Sequence, residues 1–190
     1  MSALSPATLP ALVAHLRAGG VVACATETLF GLLADARSNE AVARVVALKR
    51  RGADAIALLA PDLASVERVA EVTASARALA AAHWPGPLTL VLRARPGLPA
   101  TLLRDGTVGV RVPGPSAALA LVRAFGGPLT ATSCNLSGHP AATTDAEARA
   151  YFPEGVEIVP GRAPGGAAST LVDATVEPLR VLRAGAIALS

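Results

Sequence analysis

Apolar positions recur along the chain with two spacings. In residues 9–18, Leu9, Leu12, Val13 and Leu16 share a helical face, and Gly19-Gly20 stops the run. Residues 39–48 repeat the pattern with Val42, Val45, Val46 and Leu48, behind Ser38 as N-cap. The same reading predicts helices over 63–71, over 74–82 behind Thr73, and over 116–125 between Ser116 and Gly126-Gly127. Thr144-Asp145-Ala146-Glu147 has the form of a capping box and opens a helix to about residue 151. Short apolar runs at 21–25, 55–60, 88–92, 108–112 and 129–133 predict buried strands, and further short strands fall near 156–159, 170–173 and 179–183. Trp84-Pro85-Gly86-Pro87 is a rigid turn before the strand at 88–92. Helix–strand alternation followed by a strand-rich tail predicts an α/β chain with an open twisted mixed sheet and helices packed on it. Parallel pairs need the helical crossovers, and the strand-rich stretches pair antiparallel.

At 190 residues without repeat, linker or charge block, the chain reads as a single domain over 1–190. Apolar residues make up 52% and charged residues 16%, against a usual charged share of about a quarter, which excludes disorder and a coiled coil. Aromatics are only 3%, so Val, Leu, Ile and Ala must build the core. Mean hydropathy is positive, yet no apolar run is free of charges and Gly/Pro breaks over the about 20 residues a membrane span needs. The first residues lack a signal peptide's basic region, and the expectation is a cytoplasmic chain without membrane contact. Cys24 and Cys134 are too few and too far apart for a disulfide framework or zinc site.

The formal net charge is +3, and of the 17 Lys and Arg only Lys49 is a lysine. Guanidinium groups favour phosphate, carboxylate or nucleic-acid partners, although a biased codon usage also explains Arg excess. Phosphate-loop, dinucleotide-fingerprint, zincin and nucleophile-elbow motifs are all missing. What remains is polar groups at strand ends. Thr26-Glu27-Thr28 follows the first strand: its hydroxyls suit anionic oxygens, while spacing alone favours an N-cap of a helical turn. Lys49-Arg50-Arg51 ends a helix, where cations offset the dipole, but Lys49 and Arg51 also point to one side of an extended segment and form a candidate triphosphate clamp. Ser133 and Asn135, two apart in Ser133-Cys134-Asn135-Leu136-Ser137-Gly138, offer a hydroxyl and a carboxamide to a nucleotide, or simply build a turn. Cys134 has no base near it and reads as inert. Arg111, among valines, needs an anionic partner. Arg180 and Arg183, three apart, fall on opposite strand faces; Asp35 and Asp173 are the candidate partners for these arginines.

Taken in order, seven segments resemble the Sua5/YciO/YrdC family over about residues 8–187. They are Ala25-Thr26-Glu27-Thr28-Leu29-Phe30-Gly31-Leu32, Leu48-Lys49-Arg50-Arg51, Trp84-Pro85-Gly86-Pro87 with the following strand, Val110-Arg111-Val112-Pro113, residues 133–138, Ser169-Thr170-Leu171-Val172-Asp173, and Leu182-Arg183-Ala184-Gly185-Ala186-Ile187. The resemblance implies a YrdC-like twisted sheet around a large basic concave cavity, in the short form without the C-terminal domain of Sua5. It implies a nucleotidyltransferase, L-threonylcarbamoyladenylate synthase, that joins L-threonine, bicarbonate or CO2, and ATP, and releases pyrophosphate. The product would serve a separate transferase that modifies an adenosine of tRNAs reading codons that begin with A.

By the same resemblance, Lys49 and Arg51 would be catalytic and hold the ATP phosphates, joined at the nucleotide by Ser133, Asn135 and Arg183. Arg111 would take the threonine carboxylate, with Thr26, Thr28 and Ser169 lining that pocket. Mg2+ would bridge the phosphates and need no protein ligand. The chain departs from the family pattern at Ala25 for Pro, at Gly52, Ala55, Ile56 and Ala57 for a Pro and a Lys-Pro-Leu, at Pro115 for His, and at Cys134 for Ala. Two alternatives follow: a double-stranded RNA-binding module, since a basic concavity holds a backbone by charge, and a paralogue with another carbamoylated or adenylylated substrate. Scarce aromatics argue against single-strand binding.

Overall fold

The computed structural model describes Leu4, residues 7–49 and residues 56–189. Six α-helices are present among them: α1 (Leu9–Arg17), α2 (Asn39–Lys49), α3 (Leu63–Val69), α4 (Ala74–His83), α5 (Ala117–Phe125) and α6 (Asp145–Tyr151). The strands are β1 (Val22–Ala25), β2 (Phe30–Leu33), β3 (Ala57–Leu59), β4 (Ala70–Glu71), β5 (Leu88–Ala94), β6 (Thr107–Arg111), β7 (Leu129–Ser133), β8 (Glu157–Ile158), β9 (Thr170–Asp173) and β10 (Arg180–Arg183). They form one mixed sheet in the order β10-β9-β5-β6-β3-β7-β2-β1-β8, with β4 beside β5. Pairs β3–β6, β5–β9 and β1–β8 are parallel, and the others antiparallel.

The expected caps do form. Ser116, Thr73 and Thr144 accept the backbone N–H of Leu119, Ala76 and Glu147, and Ser38 accepts that of Ala41. Gly126 ends α5 with φ +76°, which favours glycine. The Glu147 carboxylate reaches back to the Thr143 N–H at 2.7 Å rather than to the Thr144 N–H. That bond, with one from the Thr143 hydroxyl, holds its carboxyl below the ordinary value.

Three sequence expectations change. Residues 30–33 form β2, whose four residues are all buried: a continuous apolar run in mid-sheet carries no alternation to mark it. The helix begun at residue 63 ends at Val69, because Ala70 and Glu71 turn extended and pair with Ala94 and Arg93. A bulge in β10 sets Arg180 opposite Asp173 and Arg183 opposite Leu171, so the two arginines share a face instead of opposing one another.

Two apolar layers flank the sheet. One gathers Phe30, Leu32, Val42, Val45, Leu58, Leu90, Val110 and Val172 beneath α2 and α4. The other packs Leu12, Leu16, Leu121 and Val122 of α1 and α5 on Val22, Cys24, Leu59 and Leu129. Among the described residues no helix is long and apolar enough to cross a membrane.

Candidate functional site

The second face is covered at only one end. Beyond Leu59 and Leu129, register aligns Gly31 with Ser133, Ala131 with Ala57, Gly109 with Val91, and Thr89 with Leu171. A Cβ added to Gly109 would stand 3.4 Å from both Ala57 and Thr89, which ties these pairs into one floor. Ala57, Gly109, Ala131, Ser133, Val91 and Leu171 are half-buried, whereas Leu32, Leu58, Leu90 and Val110 on the opposite face are sealed. Small side chains therefore make an open floor, and the polar residues of interest stand around it in three groups.

Lys49 makes the first. It is the last residue of α2, 3% exposed, and its Nζ donates to the Ser133 carbonyl at 2.7 Å and to Asn135 Oδ1 at 2.6 Å. Ser133 Oγ lies 3.4 Å from the same nitrogen and donates to Asn135 Oδ1 at 2.6 Å. Asn135 Nδ2 donates to the His139 carbonyl and Ser137 Oγ to the Lys49 carbonyl, closing the loop of residues 133–139 onto the helix end. Ser133 and Asn135 thus point the same way, as expected, but Lys49 does so from a helix, not from an extended segment. Arg51, the clamp's other half, lies outside the described residues, as do the departures at Gly52 and Ala55.

Arg111 anchors the second group. Its Nε donates to the Gly86 carbonyl at 3.2 Å, and its Nη2 forms an ion pair with Glu27. The partner is therefore neither Asp35 nor Asp173. Asp35 accepts the Arg37 N–H. Asp173 is held by Thr175 and by Arg180 at 2.9 Å, and the Thr175 hydroxyl leads in keeping its carboxyl below the ordinary value. Glu27 is brought to Arg111 by the hairpin turn between β1 and β2. The expected N-cap is instead this turn: Thr26 Oγ1 accepts the Thr28 and Leu29 N–H groups at 3.1 Å each and donates to the Leu29 carbonyl at 2.8 Å. The Thr28 hydroxyl sits 3.0 Å from it. Both threonines are buried and engaged in shaping the turn.

The third group joins Thr89, Ser169 and Arg183. The Thr89 and Ser169 hydroxyls lie 2.7 Å apart, and Arg183 Nη2 donates to the Ser169 carbonyl at 2.9 Å and approaches its hydroxyl at 3.4 Å. Sequence reading missed Glu27, Gly86 and Thr89. The signal for Glu27 was available: it is the only charged residue in 18–34, and Arg111 is the only one in 106–122, so each needs the other's sign.

Neither cysteine carries an activated thiol. Burial pushes the thiols of Cys24 and Cys134 up to about 12, and Lys49 only partly opposes this at Cys134. Among the described residues no three His, Cys, Asp or Glu side chains stand together as a metal site.

A mixed α/β sheet whose open face carries a buried ammonium, an anchored guanidinium and hydroxyl and amide groups has the chemistry to hold an anionic small molecule. The Sua5/YciO/YrdC family model, described as telomere recombination, matches residues 14–185. The chain belongs to this family. It is 40% identical over 156 residues, 79% of its length and 83% of the relative's, to a threonylcarbamoyl-AMP synthase of Idiomarina loihiensis. It is 41% identical over 174 residues, 87% of its length and 91% of the relative's, to one of Halorhodospira halophila. In fold it resembles P. abyssi Sua5 complexed with L-threonine, with a TM-score of 0.89, 32% identity and 97% of this chain covered. The chain spans 56% of that Sua5.

Proposed function

We propose that the chain is an L-threonylcarbamoyladenylate synthase for the threonylcarbamoyl modification of tRNA. The observation that carries this is the Lys49–Ser133–Asn135 cluster beside the open floor, in a chain about 40% identical to relatives named as that synthase.

Threonine's amine adds to CO2 and loses a proton, giving a carbamate. A carbamate oxygen attacks the α-phosphorus of ATP, the bond to the β-phosphate oxygen breaks, and pyrophosphate leaves. No protein nucleophile is needed; the protein contributes orientation and charge. Lys49 and Arg51 take the phosphates, and Ser133, Asn135 and Arg183 hold the nucleotide. Arg111 takes the threonine carboxylate, and Ser169 lines that side with its hydroxyl set by Thr89. Thr26 and Thr28 act indirectly by shaping the turn that carries Glu27.

Mg2+ would travel on the ATP phosphates held by Lys49 and Arg51, where it would supply charge neutralisation for the leaving pyrophosphate. The hydroxyls, carboxamide and cations around the floor are donors suited to the phosphate oxygens that would carry the ion.

The test is pyrophosphate release from ATP and bicarbonate with each amino acid in turn. Release that depends on threonine supports the reading. Release with another amino acid instead identifies a paralogue, and no release together with salt-sensitive binding of duplex RNA identifies an RNA-binding module.

A further inference from the structure

Glu27 has no role of its own in the assignments above, yet it is a largely buried charge whose ionic partner is Arg111. Its side chain is 14% exposed and that of Arg111 8%. Both Glu27 carboxylate oxygens and Arg111 Nη2 are sealed from solvent, and beyond their mutual ion pair no hydrogen bond reaches them from the described residues. A buried ion pair is weak support for a fold, since desolvation offsets most of its attraction. Its geometric effect is stronger. Gly86 holds Nε and Glu27 holds Nη2, so the guanidinium plane is fixed from two loops, while Nη1 has no partner among the described residues.

The geometry points to Glu27 as a positioning residue for amino-acid recognition: from the β1–β2 turn it locks Arg111 so that Nη1 faces the substrate carboxylate. This rests on the assignment of Arg111 to threonine made above. Three features of the chain serve it. Thr26 and Thr28 fix the turn. Gly86 has no room for a side chain, because a Cβ there would stand 2.4 Å from the His83 carbonyl oxygen. Gly114 leaves room for Glu27, as a Cβ there would stand 3.0 Å from Glu27 Cγ. A guanidinium held this way keeps its direction when the substrate is absent, so threonine binding need not order it. Without the carboxylate the guanidinium is held through Nε alone and its charge loses its ionic partner.

The test compares Glu27→Gln, Arg111→Gln and the double variant in the full chain. Threonine KM, ATP KM and kcat are read from pyrophosphate release, and folding from thermal unfolding. Glu27→Gln is expected to raise threonine KM about tenfold, with ATP KM and kcat within about twofold, the loss of one charge-assisted contact. In the Arg111→Gln background the same change should add nothing, because Glu27 acts through Arg111. A structural role would instead multiply the two effects. Unchanged threonine KM in Glu27→Gln, or multiplied effects in the double variant, overturns the inference while leaving Arg111's role intact. Arg111→Gln without effect on threonine overturns both. If Glu27→Gln does not fold, Gly114→Ala displaces the carboxylate and keeps its charge. It should raise threonine KM in the same direction only when Arg111 is present, and a rise that persists in Arg111→Gln refutes the coupling.

Discussion

Lys49 offers the sharpest separation of chemistry from stability. Alanine is the wrong probe, because it also deletes the buried stem, worth about 0.8 kcal/mol per methylene. Lys49→Met keeps most of that packing and removes the ammonium. Two short charge-assisted hydrogen bonds are lost, each worth about 1.5–3 kcal/mol, but no longer burying an ammonium offsets several kcal/mol. Neither acceptor is orphaned. The Ser133 carbonyl keeps the Asn135 N–H at 3.1 Å, and Asn135 Oδ1 keeps the Ser133 hydroxyl at 2.6 Å. The expected net change in stability is within about 2 kcal/mol, a shift of at most about 8 °C for a chain of this size. Catalysis should fare differently: losing one preorganised contact to the reacting phosphates removes about 2.7–4 kcal/mol, or 100- to 1,000-fold in kcat. Thermal unfolding and threonine-dependent pyrophosphate release measure the two effects on one sample. A folded variant that keeps more than about a tenth of wild-type turnover refutes the phosphate role of Lys49.

Other expectations follow from the same geometry. With both thiols raised to about 12, iodoacetamide at pH 8 should leave the native chain unlabelled and label Cys24 and Cys134 only after denaturation; fast labelling of the native chain contradicts their burial. Because the folded pKa values lie above the ordinary 9.0, unfolded thiols ionise first, and stability should fall as pH rises past 9.0 by about 1.4 kcal/mol per unit for each thiol, a slope halved in Cys24→Ala. Asp173 shifts the other way. Its contribution is present above the ordinary 3.8 and lost as pH falls through its lowered value, so the destabilisation of Asp173→Asn seen at pH 7 in urea titrations should vanish at low pH. Thr89→Val frees the Ser169 hydroxyl and should raise threonine KM by about 2- to 10-fold with ATP KM unchanged; an effect on ATP alone would reassign Ser169.

Legibility in the sequence followed the range of the forces involved. Helices and their caps were readable because period and N-cap act within one turn, and Thr73, Ser116 and Thr144 stand where the pattern placed them. β2 was not readable, since a strand buried on both faces shows only that residues 30–33 are apolar. The arginines of β10 were misplaced by a bulge, which adds a residue that no alternation rule sees. Lys49 could be nominated from a helix end, and Ser133 and Asn135 from a strand end, but their contact joins residues 84 and 86 apart in the chain. The partner of Arg111 was sought among Asp35 and Asp173, and lay instead in a hairpin that spacing had assigned to a helical turn.

These misplacements share a cause that bears on how the site works. Three polar groups around the floor are held by other groups of the protein: Lys49 by Ser133 and Asn135, Arg111 by Glu27 and Gly86, Ser169 by Thr89 and Arg183. Local propensity cannot encode such pairings, because they close only when distant strands come into register. Once closed, they fix donor directions before any ligand arrives, which is the condition for electrostatic catalysis without reorganisation. The small residues between them, Gly31, Ala57, Gly109 and Ala131, fit this arrangement. A larger side chain at 57 or 131 would rise from the floor toward the space the ligands are assigned, and would leave the polar rim untouched. Ala131→Val should therefore weaken substrate binding without disturbing the Lys49 cluster, and a rise in KM for ATP or threonine with unchanged thermal stability is the expected reading. Unchanged KM for both would remove the floor from the proposed site.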